Sequence, residues 1–237
     1  MRYLLLFFPV FLFGHHTTDS ETLFSQANEA YQKGSYPEAI ALYERCLQVA
    51  PSANAHFNIG NAAFQNGDIG RSVLAYERAL SLRPFDKGIQ HNLRFVRQSK
   101  QLSPLPLPTF FQQWNPFPYP LWLCVLAGFF WAFVGLLLAW FYGKRGIAVQ
   151  VTLGLLLTGL IFAATGSYVA HQRLAYGIVM ADSPLKVAPT GQSPSKGTLL
   201  AGSWVYILGE QKHDFFVRNE KQEEGWVAIE YLSKLKQ

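Results

Sequence analysis

Residues that build catalytic and metal sites are scarce in this sequence. Its 237 residues include only two cysteines, Cys46 and Cys124, which are too few for a disulfide framework or a zinc site. We interpret both as small buried apolar residues. No serine, cysteine or pair of carboxylates has partners at the spacing of a catalytic triad or a metal site, and no glycine-rich loop suited to phosphate occurs. We therefore expect neither enzymatic activity nor a cofactor.

Charge is also sparse, and its distribution is not typical of nucleic-acid binding. The formal net charge of +5 comes without a basic stripe interleaved with aromatic residues, so we expect no nucleic-acid partner. From Gln101 to Gly143 the chain contains no Lys or Arg at all. Half of the residues are hydrophobic, a fraction that fits a membrane protein carrying soluble domains.

Two long apolar runs lie in the middle of the chain, at residues 121–142 and 147–170. Each reaches the roughly 20 apolar residues that an α-helix needs to cross a bilayer. The alternative, a pair of core helices in a soluble domain, is disfavoured because such helices rarely stay apolar on every face. The sequence therefore predicts two antiparallel transmembrane helices that contact membrane lipid.

The hinge between the runs, residues 143–146, carries the charges that set the predicted topology. Short loops rich in Lys and Arg stay in the cytoplasm, and this hinge contains Lys144 and Arg145. The far end of the first run offers no competing positive charge. We therefore expect a cytoplasmic hinge, with the segments that flank the helical pair outside the cytoplasm.

The N-terminus has the pattern of a secretory signal peptide, which we assign to residues 1–20. One positive charge, on Arg2, precedes an apolar run from Leu4 to Phe13 that is too short to span a membrane. Export of the next segment agrees with the predicted topology. The cleavage site is poorly marked, so removal of the segment stays an open question.

Residues 21–101 contain an internal repeat. Residues of matching character recur with an offset of 33, and a proline ends each series. The first series is Gly34, Tyr36, Ala39, Ile40, Tyr43, Leu47 and Pro51, and the second is Gly67, Ile69, Ser72, Val73, Tyr76, Leu80 and Pro84. This order resembles the tetratricopeptide repeat (TPR), a helix–turn–helix unit of about 34 residues. Two such repeats leave an outer face uncovered, so we expect a capping helix from Asp86 to about Gln101.

The turns between the predicted helices carry recognisable capping residues. Gly34 and Gly67 end the first helix of each repeat, where a left-handed residue is favoured. Ser35 and Glu38 have the spacing of a capping box, and Asp68 is suited to cap the equivalent helix of the second repeat.

The TPR resemblance implies a concave face on which a protein partner binds. The residues assigned to it are Phe24, Asn28, Tyr31, Phe57, Asn58, Asn61 and Phe64. Asn28 and Asn58 match two asparagines of the clamp by which some TPR domains hold a peptide carboxylate. The basic residues of that clamp have no counterpart here, so general peptide binding is preferred. The alternative is that the asparagines serve packing.

A proline-rich linker follows at residues 102–120. Alternating prolines favour an extended polyproline II conformation and a semi-rigid spacer. A ligand for another domain is the alternative interpretation.

Residues 171–237 change to short alternating runs separated by turns, which predicts a small β-barrel. Strands are expected at 176–181, 197–200, 204–209, 215–218 and 225–229. The order of these pieces, with Gly225-Trp226-Val227 near the end, resembles a bacterial SH3-like domain. Five aromatic residues are candidates for a ligand groove, although they also suit the core of a small barrel: Trp204, Tyr206, Phe215, Phe216 and Trp226.

The whole order of segments resembles the BatE-type proteins of bacterial aerotolerance operons. The fold class expected is therefore a multi-domain membrane protein with an all-α TPR domain, two transmembrane helices and a small all-β SH3-like barrel. The resemblance implies a non-enzymatic scaffold in the bacterial inner membrane, with both soluble domains extracytoplasmic. Its implied partners are von Willebrand A-domain membrane proteins and a MoxR-type AAA+ ATPase system. The alternative function is a sensor or anchor that binds the peptidoglycan of the cell wall.

Overall fold

The computed structural model describes residues 16–106, 119–143, 146–190 and 192–235. Most of the predicted signal segment lies outside these residues, as do Lys144 and Arg145. The helices are α1 (His16–Gln32), α2 (Tyr36–Val49), α3 (Ala53–Gln65), α4 (Ile69–Leu82), α5 (Lys87–Ser99), α6 (Tyr119–Phe141) and α7 (Ile147–Gln172). The strands are β1 (Tyr176–Val179), β2 (Ser183–Lys186), β3 (Ser195–Leu199), β4 (Trp204–Gln211), β5 (Asp214–Asn219), β6 (Glu224–Ala228) and β7 (Leu232–Lys234).

Helices α1–α4 form two helix–turn–helix pairs, and α5 packs on the second pair as expected for a capping helix. Gly34 and Gly67 have φ angles of 77° and 81°, which confirms the predicted left-handed turns. The Asp68 carboxylate accepts a hydrogen bond from the Arg71 N–H at 3.0 Å, so the predicted cap of α4 is also confirmed. The capping box at α2 is wrong, because the Ser35 side chain makes no capping bond. Pro37 lies within the first two positions of α2 and has no N–H to donate.

The second helix pair has the closest backbone approach of the repeat region. A methyl group on Gly60 of α3 would lie 2.6–2.9 Å from three ring carbons of Tyr76. On the facing helix, the Ser72 hydroxyl is fully buried and donates to the Gly60 carbonyl at 2.9 Å. The small residues predicted at this crossing therefore allow both a tight contact and a hydrogen bond between α3 and α4.

The C-terminal strands form one antiparallel sheet in the order β3-β2-β6-β5-β4-β1-β7. Among the described residues, β3 and β7 each pair on one side only, so the strand order is open. Five strands coincide with predicted runs to within a few residues. The other two, β2 and β7, were not expected from the sequence.

Strand β1 is buried on both faces because the sheet lies between its own core and the repeat helices. One face contributes Val179, Val205 and Val217 to the sheet core. The opposite face contributes Tyr176, Ile178 and Trp204 to a core shared with α4, α5 and the linker. Alternation along each strand therefore assigns successive residues to two different cores.

The contact between the repeat helices and the sheet is close and includes backbone. A methyl group on Gly70 would overlap the backbone of Met180, which directly follows β1. Nearby, the Arg78 guanidinium donates to the backbone carbonyl of Lys234 at 3.1 Å and to that of Leu235 at 3.4 Å. The sequence analysis expects the apolar hairpin to hold the two domains together, whereas in the structure they also contact each other directly.

Helices α6 and α7 are both long and apolar enough to cross a membrane, and only 6% of the most apolar window in each is buried within the structure. They pack against each other where large rings meet glycines. The Phe129 ring fills the space beside Gly159, and the Trp122 ring lies where a methyl group on Gly166 would stand. Nearly all the remaining apolar surface of the pair is exposed.

The first residues of the linker do not extend freely between the domains. Leu102 and Leu105 are only 8% and 6% exposed, and both belong to the core that joins the helices to the sheet. This part of the linker therefore packs as a component of the body, which differs from the spacer that its composition predicts.

Candidate protein-interaction site

The predicted concave face of the repeats contains the same hydrogen bond twice. In the first repeat the Tyr43 hydroxyl donates to the Asn28 side-chain oxygen at 2.6 Å. In the second repeat, 33 residues later, the Tyr76 hydroxyl donates to Asn61, also at 2.6 Å. Edge or tilted ring contacts repeat in the same way, because Phe24 packs on Tyr43 and Phe57 packs on Tyr76.

A second set of amide contacts joins each repeat to the next. The Asn58 amide nitrogen donates to Asn28 at 3.3 Å and to the Tyr43 hydroxyl at 3.2 Å. The Asn92 amide nitrogen, on α5, donates to Asn61 at 3.0 Å. Burial raises the pKa of Tyr43, and it raises that of Tyr76 to about 12, so both hydroxyls remain protonated donors at neutral pH. The three predicted asparagines thus have hydrogen-bond partners within the protein.

Replacing Asn61 by alanine is expected to lower the free energy of unfolding by about 2 kcal/mol, because the buried Tyr76 hydroxyl then loses its acceptor. Chemical denaturation of the purified protein measures this change. Combining Asn61→Ala with Tyr76→Phe removes the orphaned hydroxyl, so the double variant should lose less than the sum of the two single losses. Strictly additive losses would contradict the assigned role of Asn61.

Two aromatic side chains mark the open part of this face, and one of them was not predicted. Phe64 of α3 and Phe95 of α5 make an edge contact with ring centroids 5.6 Å apart. Phe95 is 54% exposed, which is unusual for a phenylalanine with no structural neighbour to cover it. The sequence analysis considered only the buried side of α5. The 34-residue spacing from Asn58 to Asn92 is the signal that identifies α5 as the first helix of a third, incomplete repeat.

The seven predicted residues therefore lie on one face but differ in availability. All seven are half-buried. The amides of Asn28, Asn58 and Asn61 are bonded internally, and the Tyr31 ring packs on Tyr36 with centroids 5.5 Å apart. Exposed ring surface is greatest at Phe95, beside Phe64. Ligand contact on this face is thus available mainly through apolar surface.

The five aromatic residues predicted as a groove in the C-terminal region do not come together. Phe215 is 4% exposed and belongs to the sheet core, on the opposite face from its neighbour Phe216. Phe216 packs on Trp226 with centroids 5.1 Å apart. Trp204 and Tyr206 lie instead against Tyr176 and the repeat helices. The structure separates the predicted groove into three places.

His56 of α3 gives this region a pH dependence. Burial, followed in importance by the nearby positive charge of Arg78, lowers the pKa of His56 from 6.5 to about 4. Between these values the unfolded chain binds a proton that the folded protein excludes, so stability falls as the pH drops from about 6.5 to about 4. Thermal unfolding measured across that range should show a flatter profile for His56→Gln. An identical slope in the variant would assign the pH dependence to other groups.

Residues 24–87 match the family model described as tetratricopeptide repeat. The match spans both helix pairs, from within α1 to the start of α5, and confirms the repeat assignment made from the sequence. None of the curated proteins compared matches the chain.

Proposed function

We propose that this chain is a non-enzymatic membrane scaffold that binds an extended segment of a partner protein on the concave face of its repeats. The match of residues 24–87 to tetratricopeptide repeats supports a role in protein–protein interaction. The observation that carries the proposal further is the exposed Phe64–Phe95 pair, which offers apolar surface beside internally bonded amides. Such a surface suits an apolar side chain of an extended peptide more than a free carboxylate.

Partner capture from native membranes tests the role of this face. The double variant Phe64→Ser and Phe95→Ser removes the exposed rings and is expected to reduce recovery of the partner at least about tenfold, as for interface anchors generally. Phe85 is 58% exposed and lies before α5 begins, which makes Phe85→Ser the matched control for lost surface hydrophobicity. Equal recovery by both variants would remove the groove from the proposal.

The proposed location is a membrane, with α6 and α7 as its two spans. Helices of a soluble core are mostly covered by protein, whereas the apolar windows of α6 and α7 are almost bare. Lipid is the solvent that would cover surface of this kind without a penalty. The positive charges of the 143–146 hinge favour the cytoplasmic side for that hinge.

Labelling of single cysteines in intact cells tests the topology, in a background with Cys46 and Cys124 replaced by serine. A cysteine at Lys144 is expected to resist a membrane-impermeant thiol reagent, and one at the exposed residue Glu210 is expected to react. Reversed labelling would place the repeats and the sheet in the cytoplasm. Recovery of the protein without membranes would remove the membrane altogether.

The finer parts of the proposal concern the sheet and the partners. An SH3-like identity for residues 171–237 is supported by the antiparallel order of short strands and by Gly225-Trp226-Val227 within β6. The resemblance to BatE-type proteins proposes an extracytoplasmic envelope complex with von Willebrand A-domain proteins and a MoxR-type ATPase. Identification of the captured partner decides between this complex and the cell wall.

A further inference from the structure

A cavity of about 290 Å³ lies where the linker, the end of α7 and the sheet meet. Its aromatic lining consists of Tyr176, Trp204 and Tyr206, and its polar lining includes Arg218, Asn219 and Gln222. The Tyr176 ring makes edge contacts with both other rings, at centroid distances of 5.6 Å to Trp204 and 5.2 Å to Tyr206. Pro106, the last described residue of this part of the linker, stands at the edge of the cavity.

The linker shows which chain conformation this aromatic surface accepts. Leu102 and Leu105 are buried, while Ser103, Pro104 and Pro106 are exposed. Burial of every third residue is the pattern of a polyproline II helix, which has three residues per turn. The surface formed by α4, Tyr176 and Trp204 therefore already holds an extended, proline-containing segment up to the mouth of the cavity.

One hydrogen-bond donor in the cavity wall has no acceptor. Trp204 is 6% exposed, and its buried indole N–H has no partner within the protein. A buried donor in this state binds an acceptor without the cost of breaking another bond. Backbone carbonyls of a polyproline II segment are suitable acceptors because that conformation makes no internal hydrogen bonds.

The polar groups of the cavity wall disfavour charged and sugar ligands. Both the Nε and one Nη of Arg218 donate to the same Glu224 oxygen, at 3.0 and 2.7 Å, so its charge is compensated. The Asn219 side chain donates to Glu223 and accepts from two backbone N–H groups. An anion would find no uncompensated positive charge here, and a sugar would find few free polar partners.

We propose that this cavity binds a proline-containing extended peptide from another chain, with one peptide carbonyl accepting from the Trp204 indole N–H and a proline ring packed against Tyr176 and Tyr206. The site is separate from the concave face of the repeats. It gives the protein a second peptide-binding surface, placed where the body joins the apolar helices.

Fluorine NMR of the full chain in detergent, labelled with 5-fluorotryptophan, tests this site. The probe is an acetylated and amidated Pro-Leu-Pro-Leu-Pro peptide, and the comparison peptide has alanine in place of every proline. The first peptide is expected to shift the Trp204 signal saturably, and the second is expected to shift it at least about tenfold more weakly. Equal shifts, or no shift with either peptide, would overturn the proposal.

Two variants sharpen the test. Trp204→Phe keeps the ring but removes the N–H, so affinity measured by calorimetry should fall about tenfold, the loss typical of one hydrogen bond to a buried donor. Trp226→Phe is the matched control, because Trp226 packs on Phe216 away from the cavity. Unchanged affinity in Trp204→Phe, or a shift of the Trp204 signal by chito-oligosaccharides instead of the peptide, would contradict the assignment.

The outcome is independent of the proposed function. The Phe64→Ser and Phe95→Ser variant should bind the proline peptide as the unmodified protein does, because both substitutions lie outside the cavity. If Trp204→Phe fails to fold, the peptide-induced shift of the Trp204 signal in the unmodified chain decides the question alone.

Discussion

Gly70→Ala is expected to lower the free energy of unfolding by about 2 kcal/mol and to loosen the sheet from the repeat helices. The added methyl group would overlap the backbone of Met180, which cannot move aside as a flexible side chain does. Overpacking of this kind costs roughly 1–3 kcal/mol, and the better helix propensity of alanine offsets only part of it. Denaturant unfolding measures the loss, and amide hydrogen exchange locates it in β1.

Gly88→Ala is the matched control for this substitution. Gly88 follows the first residue of α5 as Gly70 follows the first residue of α4, but it is exposed, and an added methyl group would meet only the Asp86 carboxylate of its own turn, at 3.2 Å. We expect this variant to be as stable as the unmodified protein or slightly more so. Arg78→Ala removes the hydrogen bonds to the β7 end of the sheet and should accelerate exchange in the same strands. Unchanged β1 exchange in both Gly70→Ala and Arg78→Ala would contradict a direct contact.

Gly60→Ala is expected to cost still more, about 3 kcal/mol, because its methyl group would press on a ring that has no free space. Tyr76 is 2% exposed, and its hydroxyl is bonded to Asn61. The ring therefore cannot turn away without breaking that bond, and α3 and α4 must separate instead. The midpoint of thermal unfolding should fall by several degrees.

The first repeat supplies the control for this position. Ala27 is the residue 33 positions before Gly60, and it is fully buried without a clash. Ala27→Gly should cost only about 1 kcal/mol, the difference in helix propensity between the two residues. If Gly60→Ala is no more destabilising than Ala27→Gly, the two repeats have equivalent crossings and the close approach of α3 to α4 is wrong.

Features that depend on local sequence were predictable here. The left-handed glycines, the Asp68 cap and the 33-residue period follow from backbone geometry within a few residues, and the structure confirms them. The two apolar runs are equally local, since length and composition alone define them. Strand β2 escaped prediction because Pro184 reduces strand propensity, and β7 escaped because it has only three residues.

Features that depend on distant parts of the chain were not predictable from one sequence. Gly70 has the same identity as any small residue in the first turn of a helix, and nothing near it in sequence indicates Met180, 110 positions later. The aromatic residues of the sheet were assigned to one groove because alternation gives each strand two faces without saying what covers them. Trp204 illustrates the limit, since the repeat helices and the linker decide its surroundings.

The placement of the apolar hairpin has a consequence for biosynthesis. Helices α6 and α7 interrupt the sequence between two parts of one packed body, because α4 and the linker leucines share a core with β1 and β4. The ribosome completes α1–α5 long before it produces Tyr176 and Trp204. The nascent chain therefore carries an uncovered greasy flank throughout hairpin insertion, and a product truncated after α7 would keep that flank bare and prone to self-association.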